Sequence, residues 1–222
     1  MRVNFLGQDR PELQFACREL AKGMKTPKRR HMGMLKRVAR FLRRYPRLIQ
    51  KFPAQGHVGR LDVWVDSNCA GCIRTRKSTM GGVIMIGKAT IKTYCKGQAV
   101  IALSSGESEY YGLVSGISQG LGEKAMLADW DISVDVQLWM DATAGIAIGS
   151  RRGLGRVKHI DTVFLWVQEV VRQGRVKIGK KDTKEMLADM LTKALTGPEI
   201  EKFLNGMNFW YETGKHGLSF QI

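Results

Sequence analysis

From residue 59 onward, apolar positions come in short blocks whose spacing alternates between a period of two and a period near 3.6. Residues 59–66 read as a strand, with the run Leu61-Asp62-Val63-Trp64-Val65-Asp66. Residues 79–87 and 89–95 read as two further strands joined at Gly87-Lys88, a hairpin signal. Tyr110, Leu113, Val114 and Ile117 recur at helical spacing and predict a helix over 105–121, with a second short helix at about 122–130. The run Val136-Gln137-Leu138-Trp139-Met140-Asp141 ends a strand over 135–141, and a short helix is expected from Ala142. A basic loop at 151–159 precedes a helix over about 160–173, a strand over about 174–180 and a helix over about 184–195. Phe203, Phe209, Trp210 and Tyr211 in the tail are expected to pack back on the domain. Strands interleaved with helices in this way make an α/β domain.

Residues 1–58 follow a different pattern and predict two helices. Asp9 and Glu12 have capping-box spacing with Pro11 in the first turn, so one helix runs to about Met24. Thr26-Pro27 opens the second, which reaches Tyr45-Pro46. On the second helix Leu35, Val38, Phe41, Leu42 and Tyr45 fall on one side, and Lys36, Arg40, Arg43, Arg44 and Arg47 fall opposite. No acidic residue occurs from Lys28 to Lys51. A solvated polar face normally mixes both signs, so this one reads as a stripe that faces phosphates.

Charge sharpens the picture. The 222 residues carry a net charge of +16, and residues 1–58 hold 15 Lys and Arg against 3 Asp and Glu. With 44% hydrophobic and 25% charged residues the chain is ordinary for a globular protein, so the excess charge points to a polyanionic partner, nucleic acid ahead of an anionic membrane. No apolar run is long enough to predict a membrane span, and the first residues lack the apolar stretch of a secretory signal. Cys69 and Cys72 form a C-x-x-C, but no second pair or histidine follows at zinc spacing, and Cys72 does not open a helix. With Cys17 and Cys95 they read as incidental thiols.

Four acids stand where strand or helix ends could bring them to one point: Asp66, Glu109, Asp141 and Asp189. Converging carboxylates repel one another unless a cation gathers them, and oxygen ligands suit Mg²⁺ or Mn²⁺. Two such ions can activate a water and stabilise the leaving oxygen of a phosphodiester, which makes a nuclease the first hypothesis. Each acid also has a plainer reading. Asp66 could form an Asx turn, and Asp141 could cap the helix after it. Glu107 has S-x-x-E spacing from Ser104, a capping task that leaves Glu109 to face the sheet. Glu185, Asp189 and Lys193 are spaced as a solvated salt-bridge stripe, so periodicity leaves Asp189 open. His159, beside the basic residues Arg151, Arg152, Arg156 and Lys158, is a candidate for proton transfer; a lone loop histidine is usually plain.

The chain resembles the C-terminal part of a copia-type LTR retroelement Pol polyprotein, the end of reverse transcriptase followed by its ribonuclease H domain. The residues that carry this are Asp66-Ser67-Asn68-Cys69-Ala70-Gly71 with Arg76-Lys77-Ser78-Thr79-Met80-Gly81-Gly82, then Ala102-Leu103-Ser104-Ser105-Gly106-Glu107-Ser108-Glu109-Tyr110, Lys158-His159-Ile160-Asp161 and Leu187-Ala188-Asp189-Met190-Leu191-Thr192-Lys193. Asp9-Arg10-Pro11-Glu12 and Pro27-Lys28-Arg29-Arg30-His31 resemble the segment just beyond the polymerase core. The resemblance implies a ribonuclease H-like five-stranded mixed sheet flanked by helices over residues 59–196. A basic two-helix segment (1–58) resembling the end of the reverse transcriptase precedes it, and residues 197–222 form a C-terminal tail. It implies hydrolysis of the RNA strand of RNA–DNA hybrids with two Mg²⁺ ions, held by Asp66, Glu109, Asp141 and Asp189, and a role for His159. Arg151, Arg152, Arg156 and Lys158 are candidates for backbone contacts. Asn68 and Cys69 stand where the family commonly has Asp and Trp, a change beside the site. No Asp-Asp pair on a hairpin precedes the segment, so no DNA polymerisation is expected. Two rival readings remain open: a catalytically inactive remnant that binds nucleic acid, and a nuclease on the same fold that acts on DNA.

Overall fold

The computed structural model describes residues 2–153, 155, 160 and 162–214. Its centre is a five-stranded mixed sheet flanked by helices, as expected. Strands β2 (Arg60–Asn68), β3 (Thr79–Ile86) and β4 (Ala89–Gly97) form an antiparallel meander, turned between β3 and β4 at Gly87 with φ of +57°. Strands β5 (Asp135–Met140) and β6 (Val176–Lys180) add in parallel to β2, giving the order β4-β3-β2-β5-β6.

Helix α4 (Ser105–Ala128) covers one face of the sheet. Tyr110, Leu113 and Ile117 are fully buried against Leu61, Val63, Val65, Val136 and Leu138. Each such side chain contributes roughly 2 kcal/mol relative to exposure. The helix approaches closely because Gly116 has no side chain: a Cβ there would fall 2.3 Å from Cγ1 of Val65. The two helices expected at 105–121 and about 122–130 are therefore one. Gly120 keeps the helix seated on Val63 and Val136, and that packing outweighs its low helix propensity.

The opposite face is covered by a 3-10 turn (Leu187–Leu191), helix α7 (Gly197–Gly206) and strand β7 (Phe209–Glu212). Leu187, Met190, Leu191, Phe203, Leu204, Met207 and Phe209 bury there against Val83 and Met85. The expected helix over 184–195 is thus replaced by two 3-10 turns, Thr183–Glu185 and Leu187–Leu191, separated by Met186 in an extended conformation. Burying Leu187, Met190 and Leu191 together against Val83 and Met85 of the sheet prevails over helical periodicity.

The N-terminal region holds three helices where two were expected: α1 (Arg2–Asp9), α2 (Pro11–Ala21) and α3 (Arg29–Arg44). The Asp9 and Glu12 capping box does not form. Arg10 is the N-cap of α2 and takes the Glu12 carboxylate itself, Nε donating to Oε1 at 2.6 Å, while its Nη2 donates to the Tyr45 carbonyl at 2.9 Å. Strand β1 (Arg47–Gln50) pairs antiparallel with β7, joining the early chain to the tail. The helix expected over 160–173 is a 3-10 turn (Thr162–Leu165) running into α6 (Trp166–Arg172). Among the described residues no helix is long and apolar enough to cross a membrane.

Candidate metal centre

The parallel register of β2 and β5 sets the site. Trp64 is level with Trp139, so Asp66 and Asp141, each two residues further on, emerge side by side at the C-terminal ends of neighbouring strands. Open sheets place their ligands at that edge. Side chains alternate along β2, and Val65 faces α4, so Asp66 faces the 3-10 turn on the other side. Gly81, opposite Asp66, admits that turn: a Cβ there would lie 2.6 Å from Cβ of Leu191. The turn carries Asp189, and the buried Thr192 donates its hydroxyl to Oδ2 of Asp66. Asp141 accepts from the Thr183 hydroxyl at 2.8 Å, and the residue that caps helix α5 (Thr143–Ser150) is Ala142.

Glu107 and Glu109 divide their tasks. The Ser104 hydroxyl accepts from the Glu107 N–H at 3.2 Å, and the Glu107 carboxylate accepts from the Leu103 N–H at 2.7 Å and the Tyr111 hydroxyl at 2.9 Å. Glu107 thus locks the start of α4. Glu107→Ala removes the acceptor of the Leu103 N–H and of the buried Tyr111 hydroxyl bond, and we expect a loss of about 2 kcal/mol in urea unfolding. Glu109, on the same first turns, reaches the sheet edge.

Asp66, Glu109 and Asp141 each offer a carboxylate oxygen, and these oxygens lie within 4.8 Å of one another. Asp189 stands apart from this trio. Its Oδ2 is 2.6 Å from Nζ of Lys193, and its Oδ1 is buried with no hydrogen-bond partner among the described residues. Burial, then the charges of Asp66, Asp141 and Asp189, push the Glu109 carboxyl up to about 9. Burial pushes Asp189 up to about 6, with Asp66 and Asp141 adding to the rise and Lys193 opposing it. Lys193 offsets only part of this crowding of negative charge. Oxygens facing each other across a Mg²⁺ ion are about 4 Å apart, so the trio fits a hard divalent cation with small adjustment.

No family model matches the chain. It is 27% identical over 203 residues to the retrovirus-related Pol polyprotein from transposon TNT 1-94 of Nicotiana tabacum, covering 90% of this chain and 15% of that protein. It is 25% identical over 204 residues to the retrovirus-related Pol polyprotein from transposon RE1 of Arabidopsis thaliana, covering 90% of this chain and 14% of that protein. Over nine-tenths of its length the chain is similar to retrovirus-related Pol polyproteins of plant transposons. It spans only a small part of their length. Among solved structures, the N-terminal ribonuclease H domain of rv2228c from Mycobacterium tuberculosis aligns with a TM-score of 0.45 and 15% identity, over 66% of this chain and 96% of that one. The chain's own sheet has five strands in the order β4-β3-β2-β5-β6, mixed in direction and flanked by helices.

The other candidate residues scatter. Lys36, Arg40, Arg43 and Arg44 are exposed on α3, with the Arg44 guanidinium 5.4 Å from the centre of the Tyr45 ring. Arg47 does not extend that stripe: the helix ends at Arg44, and Arg47 begins β1, paired with Glu212 at 2.6 Å. Leu35, expected on the apolar side, is 39% exposed. Arg151 is half-buried and Arg152 exposed. Arg156, Lys158 and His159 lie outside the described residues. All four cysteines are free thiols.

Sequence alone does not mark the groups that hold the acids. Thr192 and Thr183 carry hydroxyls to Asp66 and Asp141. Behind the acids, the hydroxyls of Ser67 and Ser108 lie 2.6 Å apart, and Gln98 Nε2 donates to Ser67 Oγ at 3.0 Å and to the Ser108 carbonyl at 2.8 Å. Each serine adjoins an acid, Asp66 or Glu109, so the cluster pins β2 to α4 at the site. Only adjacency to the acids could have flagged them.

Proposed function

We propose that the chain is a metal-dependent endonuclease that hydrolyses the RNA strand of RNA–DNA hybrids, with Asp66, Glu109, Asp141 and Asp189 as its metal ligands. The observation that carries this reading is the meeting of three carboxylates from β2, α4 and the end of β5 within 4.8 Å. Two bound ions of the Mg²⁺ class, or Mn²⁺ in their place, supply an activated water and a charge opposite the departing 3′ oxygen. The protein's part is to hold its ligands still. Thr192 orients Asp66, Thr183 orients Asp141, and the Glu107 capping network fixes the turn that bears Glu109. The exposed Lys36, Arg40, Arg43, Arg44 and Arg152 bind phosphates without reading sequence. Choice of RNA rests on contacts to 2′-hydroxyls across the wide minor groove.

One assay tests this reading: labelled hybrid, duplex DNA and duplex RNA, each with Mg²⁺ and with EDTA. The expected result is cleavage of the hybrid alone, on its RNA strand, abolished by EDTA. Cleavage that survives EDTA sinks the metal mechanism, and equal cleavage of duplex DNA sinks the substrate assignment. Tight hybrid binding with no cleavage in Mg²⁺ or Mn²⁺ makes the chain an inactive nucleic-acid-binding remnant.

A further inference from the structure

Consecutive residues Thr192 and Lys193 clasp two acids that come from different parts of the chain. Thr192 is fully buried and gives its hydroxyl to Asp66. Lys193 places its ammonium 2.6 Å from Oδ2 of Asp189. The two partners of that ion pair differ sharply in exposure. The Asp189 side chain is 6% exposed and the Lys193 side chain 41% exposed, so the lysine reaches in from solvent on a flexible stem. Asp189 is fixed from the other side by its own backbone, whose carbonyl accepts from the N–H groups of Thr192 at 3.2 Å and Lys193 at 3.3 Å. The ammonium also lies in the field of Asp66 and Asp141. It is a tethered cation at the edge of an acidic site.

Only one oxygen of Asp189 is engaged, and the buried Oδ1 has no partner among the described residues. The carboxylate trio forms without Asp189. The four acids are thus split into three that can share one ion and a fourth whose reachable oxygen is held by an internal cation.

We propose that Lys193 is a positioning residue that sets the order of metal loading: its ammonium occupies the coordination position of Asp189, so a first ion binds Asp66, Glu109 and Asp141, and a second binds only by displacing Lys193 from Asp189. This rests on the metal-centre reading of the proposed function. The ammonium holds Asp189 in place against the repulsion of Asp66 until a dication replaces it, and its exposed stem lets it withdraw to solvent. The second ion therefore binds more weakly than the four carboxylates alone would allow, and Lys193 is the cause.

The test is a titration with Mn²⁺ alone, without nucleic acid, counting bound ions by electron paramagnetic resonance in the wild type, Lys193→Met and Lys193→Arg. Lys193→Met removes the charge and keeps the length. We expect the first ion to bind all three forms within about twofold, and the second to tighten about tenfold or more in Lys193→Met but not in Lys193→Arg. In an Asp189→Asn background the Lys193→Met effect should vanish, because the two residues act as a pair. A second ion of unchanged affinity in Lys193→Met overturns the proposal. So does a Lys193→Met protein that only melts lower in EDTA, since a purely structural ion pair predicts that and nothing more. If the wild type binds no Mn²⁺ at all, the metal-centre reading itself is overturned, a different failure visible in the same experiment.

Discussion

Asp66→Asn is expected to lower cleavage of an RNA–DNA hybrid by on the order of a thousandfold while leaving hybrid binding within about twofold. The magnitude comes from the share a metal ligand supplies. Lewis-acid stabilisation of a phosphoryl transition state amounts to several kcal/mol, and about 4 kcal/mol corresponds to roughly 10³ in rate. The fold should tolerate the change, and the metal-free protein should gain some stability from the lost repulsion with Glu109. An asparagine oxygen can still accept from the Thr192 hydroxyl, and the side chain keeps its size beneath the 3-10 turn that Gly81 admits. The loss is one negative charge of the three that gather within 4.8 Å. Binding should persist because the phosphate grip is assigned to basic residues on α3 and at Arg152. Cleavage rates, and hybrid affinity measured in EDTA, check both halves. A variant that still cuts within tenfold of the wild-type rate removes Asp66 from the mechanism.

The strands that build this site were legible because half-buried strands write their faces as alternation. β2 and β5 both end in a run that closes on an acid, and the structure extends that pattern by placing the two runs in neighbouring parallel strands. Register was not legible. Nothing in either run says that Trp64 pairs with Trp139, and that pairing alone makes Asp66 and Asp141 level. Asp189 shows why periodicity could not decide its role. The stripe partner Lys193 does pair with it, while Glu185 pairs instead with Lys181, so the residue belongs to an ion pair and to the acidic cluster at once. The helix expected around it fails for a related reason: Leu187, Met190 and Leu191 fit a 3.6 period as well as they fit a tight turn pressed on a sheet. The pairing of β1 with β7 joins segments more than 150 residues apart, beyond any local signal. Arg47 falls on the basic stripe only if helical spacing is carried past Pro46, and proline cannot continue the hydrogen-bond ladder there.

Glu109→Gln should stabilise the metal-free protein and remove most of its stabilisation by Mg²⁺. Burial and three neighbouring carboxylates raise the folded-state pKa of Glu109 to about 9 from an ordinary 4.5. Because the folded value lies above the unfolded one, the folded chain keeps a proton that the unfolded chain has released. The stability is fully present below the ordinary value and is lost as pH rises toward the folded value. Asp189, raised to about 6, acts in the same direction over a lower window. At pH 7 the Glu109 contribution is roughly 3 kcal/mol against the fold. A glutamine has no such titration, so in EDTA the variant should melt higher by roughly 6–10 °C at pH 7, with a gap that narrows toward pH 5. Mg²⁺ inverts the comparison. A dication favours the ionised carboxylate, so wild-type protein should gain melting temperature from Mg²⁺, more at pH 8 than at pH 6, whereas the variant should gain little. Melting curves at pH 5, 6, 7 and 8, with EDTA and with Mg²⁺, read every part of this. An EDTA melting temperature equal for the two proteins across that range would mean that the acids do not crowd one another. A metal would then have no repulsion to relieve.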